Sequence, residues 1–233
     1  YGLMPLKETG EEKRMLGDLS AKYESSGSPA TISPGEGDPG GKSYGLYQLA
    51  SRMGSVRSFL DWAIRLSASE TYANYARTLS QFPIASADFD CAWREIARID
   101  EDGFARMQHD YICYAYYLPA VEELRSVGFD ADKHTHVMQD VIWSRAVQYG
   151  TGNIVEMFET ACHRMYNEAS DDYSGYPNLS YVDDARFDYD LIRAIYLDVC
   201  KTPEWTAASC RYGLYSRFER ECADALAALE SGS

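Results

Sequence analysis

The stretch YESSGSPATISPGEGDPGGKSYGLYQLAS, residues 23–51, sets the reading of the whole chain. It ends one helical pattern, runs through a glycine-rich loop and closes on a short alternating segment. Six of the 17 glycines and three of the eight prolines fall between residues 25 and 45. Long loops inside compact domains are uncommon and usually functional. Upstream, Thr9-Gly10-Glu11-Glu12 reads as a capping box, and Met15, Leu16, Leu19 and Tyr23 follow at helical spacing. A first helix is therefore predicted to stop near Gly27.

Beyond the loop the helical period recurs over 56–66, 72–82, 89–99, 104–116 and 119–127, the last with Pro119 in its first turn. Thr135 is placed to cap a helix running to Tyr149, and Gly150 to end it. Further helices are predicted over 154–166, 189–200 and 214–229, with a polar, turn-rich segment at 167–184. Only residues 43–49 alternate as a strand would. The expected fold is mainly α, with a small β element beside the glycine-rich loop. No repeat or linker divides the chain, so one domain over 1–233 is expected. A chain that begins at Tyr1 and ends Ser231-Gly232-Ser233 is expected to be cut from a longer protein.

Composition narrows the function. With 233 residues and 45% hydrophobic content, the chain can bury a real core. No apolar run approaches the roughly 18 residues of a membrane span, and no basic, apolar secretory leader opens the chain. Thirty-six acids against 22 bases leave a net charge of −14, which argues against nucleic acid and anionic membranes as partners and favours a polycation such as a deacetylated glucosamine polymer. The six cysteines are widely spaced with no CxxC, so reduced, buried thiols are expected, with no metal and no cofactor.

Within the quoted stretch two carboxylates stand out. Glu24 falls at the C-terminal end of the first predicted helix, where the dipole and burial beside Tyr23 both favour the neutral acid. That property suits a general acid for glycosidic cleavage. Asp38, 14 residues on, opens the turn Asp38-Pro39-Gly40. A helix-end and a loop carboxylate are the equipment of a glycosidase, although Asp38 is equally a good turn former.

The stretch resembles the lysozyme-like superfamily, through Glu24-Ser25, the glycine-rich loop with Gly37-Asp38, and Tyr44-Gly45-Leu46-Tyr47-Gln48. Goose-type lysozymes, lytic transglycosylases and the wall-lytic domains of phage tails and Gram-positive mobile elements look similar. The match covers about the first fifth of the chain. The resemblance implies a lysozyme-like helical fold and a muramidase or lytic transglycosylase acting on the β-1,4 bonds of peptidoglycan, outside the cell, at a wall or on a virion. It implies Glu24 as general acid, Asp38 as base or water-positioning group, and Tyr44, Gly45, Tyr47 and Gln48 as groove floor. Where goose-type enzymes often carry an acid after the glutamine, this chain has Ala50-Ser51. An internal attack leaving an anhydro sugar would follow if Asp38 is no base.

Trp143, Gln148 and Tyr149 cluster at a helix end and are assigned to a second groove-lining motif, with plain packing as the alternative. Other readings stay open. Phe89-Asp90-Cys91-Ala92-Trp93 resembles the nucleophile helix of papain-like wall peptidases and amidases, with Cys91 as nucleophile. A chitosanase-like hydrolase and a non-catalytic wall-binding module are further alternatives. His134 and His136 beside Asp130 and Asp132 fit a polar surface loop better than a metal site, and Asp183-Asp184 fits a solvated helix start better than a calcium loop.

Overall fold

The computed structural model describes residues 16–19, 27–203, 206 and 211–232. The first predicted helix lies outside these residues except at 16–19. The architecture is mainly helical, with one small antiparallel sheet of three two-residue strands: β1 (Ile32–Ser33), β2 (Ser43–Tyr44) and β3 (Leu49–Ala50). Ile32 faces Tyr44 and Ser33 faces Ser43, while Ser43 and Tyr44 also pair Ala50 and Leu49. The segment expected over 43–49 is thus two strands and a turn. Gly45 at φ 77° and Gln48 at φ 52° make the reversal between them.

The helices begin where side chains cap them. Helix α1 (Ser55–Arg65) is followed by α2 (Glu70–Leu79), where Ser69 accepts from the Tyr72 N–H, and by α3 (Ala87–Ile99), where Ser86 accepts from Phe89. Asp100 accepts from Gly103 and starts α4 (Glu101–Ile112) earlier than the apolar period alone indicates. The helix over 104–116 does not end there. It continues through a π-helical segment, Cys113–Tyr117, into α5 (Leu118–Ser126). Pro119 has no N–H to give the carbonyl four residues back, so the wider turn falls where the α ladder must break.

Helix α6 (His136–Tyr149) matches its reading at both ends, with Thr135 accepting from Met138 and Gly150 at φ 83°. Helix α7 (Ile154–Cys162) stops four residues short of expectation. The chain returning through Gly175 and Tyr176 donates its N–H groups to the carbonyls of Met165 and Cys162, which ends the ladder. Helix α8 (Asp188–Arg193) runs into a second π segment, Ala194–Val199, and α9 (Arg211–Ser231) closes the chain.

One apolar cluster joins these elements, with Phe59, Trp62, Trp93, Phe104 and Tyr111 in mutual ring contact under α1, α3 and α4. Among the described cysteines none is disulfide-bonded; Cys162, Cys200 and Cys222 are buried, as expected, and Cys91 is exposed. Helix α9 docks through Phe218, Cys222 and Ala225 and through a charge. Glu221, fully buried, pairs with the equally buried Arg145 of α6 at 3.2 Å, and also accepts from Tyr196 at 2.9 Å and from Ser144. The guanidinium lies 4.6 Å from the Tyr196 ring centroid and 5.0 Å from that of Phe218.

Removing one partner of a buried pair strands the other charge, at a cost of about 3–5 kcal/mol. Glu221→Ala should lose about that much in urea unfolding. The double variant Arg145→Met/Glu221→Leu should be destabilised less than Glu221→Ala alone; equal or greater loss would show that the pair is not the source of the effect.

Candidate functional site

The glycine-rich loop folds back on itself and is pinned to α3 and α4. A Cβ at Gly35 would come within 2.0 Å of the Gly41 carbonyl, so only glycine permits that approach. Two sets of anchors hold the loop. Tyr44 donates its hydroxyl to Asp90 at 2.5 Å, and Lys42 reaches the other oxygen of Asp90 at 2.5 Å and the Ala85 carbonyl at 3.0 Å. The Pro29 carbonyl accepts from the Trp93 indole at 2.8 Å and from the Gln108 amide at 3.1 Å, while Gln108 accepts from the Leu46 N–H at 2.9 Å. Burial first, then the bond to Asp90, pushes the Tyr44 phenol well above its ordinary pKa and keeps it a donor.

These contacts give the predicted site residues definite places. Glu24 lies outside the described residues. Asp38 is exposed at the loop tip; its Oδ1 accepts from the Gly40 N–H at 2.8 Å and its carbonyl from Gly41 at 3.0 Å. That is the work of a turn former. Tyr44 is fully buried with its ring against Phe89 and Trp93, so it belongs to the core and not to a groove floor. At Gly45 a Cβ would meet Gln108 Oε1 at 2.3 Å. Gln48 is spent on the loop, donating to the Gly45 carbonyl at 2.9 Å and accepting from Ser33 at 2.6 Å. Tyr47 is half-buried, with its ring 6.2 Å from that of Trp143.

The later motif is also packing. Trp143 is fully buried, stacked on His109 at 4.8 Å and covered by Gly17, where a Cβ would clash with the indole at 2.8 Å. It is no groove wall. Gln148 accepts from Arg145 at 3.0 Å and the Tyr149 ring lies 5.5 Å from the same guanidinium. Cys91 sits beyond the first turn of α3, where the dipole has faded, and the imidazole of His134 is held by two carboxylates. Both ring nitrogens of His134 face those carboxylates and not a thiol.

His134 corrects a second expectation. It is buried, not part of a surface loop. Its Nδ1 lies 2.6 Å from Asp188, its Nε2 3.3 Å from Asp183, and its ring stacks on Phe129 at 4.0 Å. Asp188 also accepts from the Thr135 N–H and hydroxyl, and Asp183 from Lys133 at 2.5 Å and from the Asp130 N–H at 2.7 Å. Asp183, read as part of a solvated helix start, instead joins Asp188 in tying the segment before α8 to the start of α6. The described residues hold no group suited to a metal ion.

A helical domain with a pinned glycine-rich loop on a three-stranded sheet is the class that the geometry defines. The chain belongs to the family described as Type VI secretion system spike protein VgrG3-like, C-terminal, which it matches over residues 16–189. It is also 34% identical over 136 residues to the Type VI secretion system spike protein VgrG3 of Vibrio cholerae serotype O1 (strain ATCC 39315 / El Tor Inaba N16961). That alignment covers 58% of this chain and 12% of the relative, which is a far longer protein.

This match overturns the lysozyme-like resemblance, and with it the expected muramidase or lytic transglycosylase, the chitosanase-like and papain-like alternatives, and phage-tail delivery. The physical reason is geometric: Tyr44, Gly45 and Gln48, which carried the resemblance, are each required to close the loop whatever the domain does. The expectation of a chain acting outside its cell agrees, in its coarse form, with membership of a secretion-system spike family.

The carboxylate clamp yields a pH signature. Burial alone raises the Asp183 pKa, but Lys133, the Asp130 N–H and His134 outweigh it and leave the carboxyl below its usual range. A depressed carboxyl contributes stability above its unfolded pKa, and loses it as pH falls through the folded value. Asp183→Asn should therefore lower Tm at neutral pH, with the gap to wild type shrinking below about pH 4. A gap constant from pH 7 to pH 3 would refute the charge-based account.

Proposed function

We propose that this domain is a terminal module carried by a type VI secretion spike, and that it engages the amino-sugar strands of a bacterial wall, peptidoglycan or a related polymer. The observation that carries the reading is the family match over residues 16–189, a span that includes the whole glycine-rich loop and its anchors on α3 and α4. Two features support the partner. The net charge of −14 disfavours nucleic acid and anionic membrane surfaces. Tyr173, Tyr181 and Tyr189 are exposed, and such rings offer apolar faces with polar tips of the kind that stack on pyranoses.

The test is sedimentation of the purified chain with insoluble peptidoglycan, chitin and cellulose at matched mass. Retention on peptidoglycan at least about tenfold above cellulose, a difference of about 1.4 kcal/mol, is expected. Equal partition among the three would refute the amino-sugar reading. Mass analysis of the soluble fraction separately tests whether the domain also acts as an enzyme on the strand.

A further inference from the structure

A pocket of about 520 Å3 opens between the glycine-rich loop, the start of α1 and the α2–α3 connection. Lys42, Arg52 and Arg57 line it together with Ser51, and no aspartate or glutamate does. In a chain with 14 more acids than bases this is a concentration of the minority charge. Lys42 is committed, since Asp90 balances its charge from behind. Arg52 and Arg57 are not. Among the described residues neither guanidinium has an ion pair or hydrogen bond, and both residues are exposed.

The two arginines are nevertheless held in place at their bases. The Arg52 N–H donates to the Gly40 carbonyl at 2.9 Å, and its Cγ packs so closely on Gly41 that a Cβ there would come within 2.8 Å. Arg57 stands in the first turn of α1, an 11-residue helix whose cap, Gly54, provides no side-chain oxygen and whose first turn has no acid. Gly54 lines the pocket, so the positive end of that helix dipole faces it with no carboxylate of its own first turn to offset it. Planar guanidinium groups bind oxyanions bidentately, and a hydroxyl and a small-residue wall leave room for one.

We propose that this pocket is an oxyanion subsite and, resting on the amino-sugar reading above, that it takes a carboxylate carried by the strand. The strand would thus be told from neutral amino-sugar polymers by charge. Titration calorimetry of the full chain at low salt tests this with three probes: a disaccharide containing muramic acid with a free carboxylate, the neutral N,N′-diacetylchitobiose, and inorganic phosphate. The muramic disaccharide should bind at least about tenfold more tightly than the neutral one, as charge-assisted hydrogen bonds allow. Arg52→Gln/Arg57→Gln, at exposed positions, should abolish that preference with Tm unchanged.

Equal binding of both sugars by wild type and variant would overturn the subsite and leave the strand reading standing. Phosphate binding that the double variant loses, with no binding of either sugar, would overturn the strand as source of the anion. No heat with any of the three would overturn the subsite, while the sedimentation result decides on the strand independently.

Discussion

One carboxylate organises the loop face of this domain. Asp90, buried on α3, receives the Tyr44 hydroxyl on one oxygen and the Lys42 ammonium on the other. A buried carboxylate needs such partners, because its desolvation is repaid only by charge-assisted hydrogen bonds. Both partners come from the end of the glycine-rich loop. The sheet register, the reversal at Gly45 and the position of the loop over α1 all follow from where those two side chains must reach. The neighbouring clasp of Pro29 by Trp93 and Gln108 fixes the start of the same loop, so both ends are held by α3 and α4.

The helices were legible because their signals are local. Thr135 and Gly150 bound α6 as read, and Pro119 marks the start of α5. What escaped was long-range. His134 meets Asp188 across 54 residues and Arg145 meets Glu221 across 76, and no spacing rule in one sequence links such pairs. The two π segments escaped for another reason: their residues keep the helical period, and only the hydrogen-bond ladder shows the wider turn.

Three residues of the distinctive motif have a role in the structure other than the one their pattern suggests. Tyr44, Gly45 and Gln48 looked like groove residues because a distinctive motif invites a chemical explanation. Each has a geometric one: a buried ring, a backbone approach that excludes a Cβ, and a left-handed residue whose side chain closes its own turn. A motif shared between unrelated loops can report the loop's closure alone. The cationic pocket behind it went unseen, since Lys42, Arg52 and Arg57 are spread over 16 positions and dispersed among residues with no period.

The family match ends at residue 189, inside α8, yet the buried pair with Arg145 is completed from α9. The buried pair therefore reaches beyond the span that defines kinship. A graft of this module onto another carrier, cut at the edge of the shared sequence, would strip Arg145 of its carboxylate partner and leave the apolar seat of Phe218 open to water. A transferred segment that keeps that ion pair has to include the last helix.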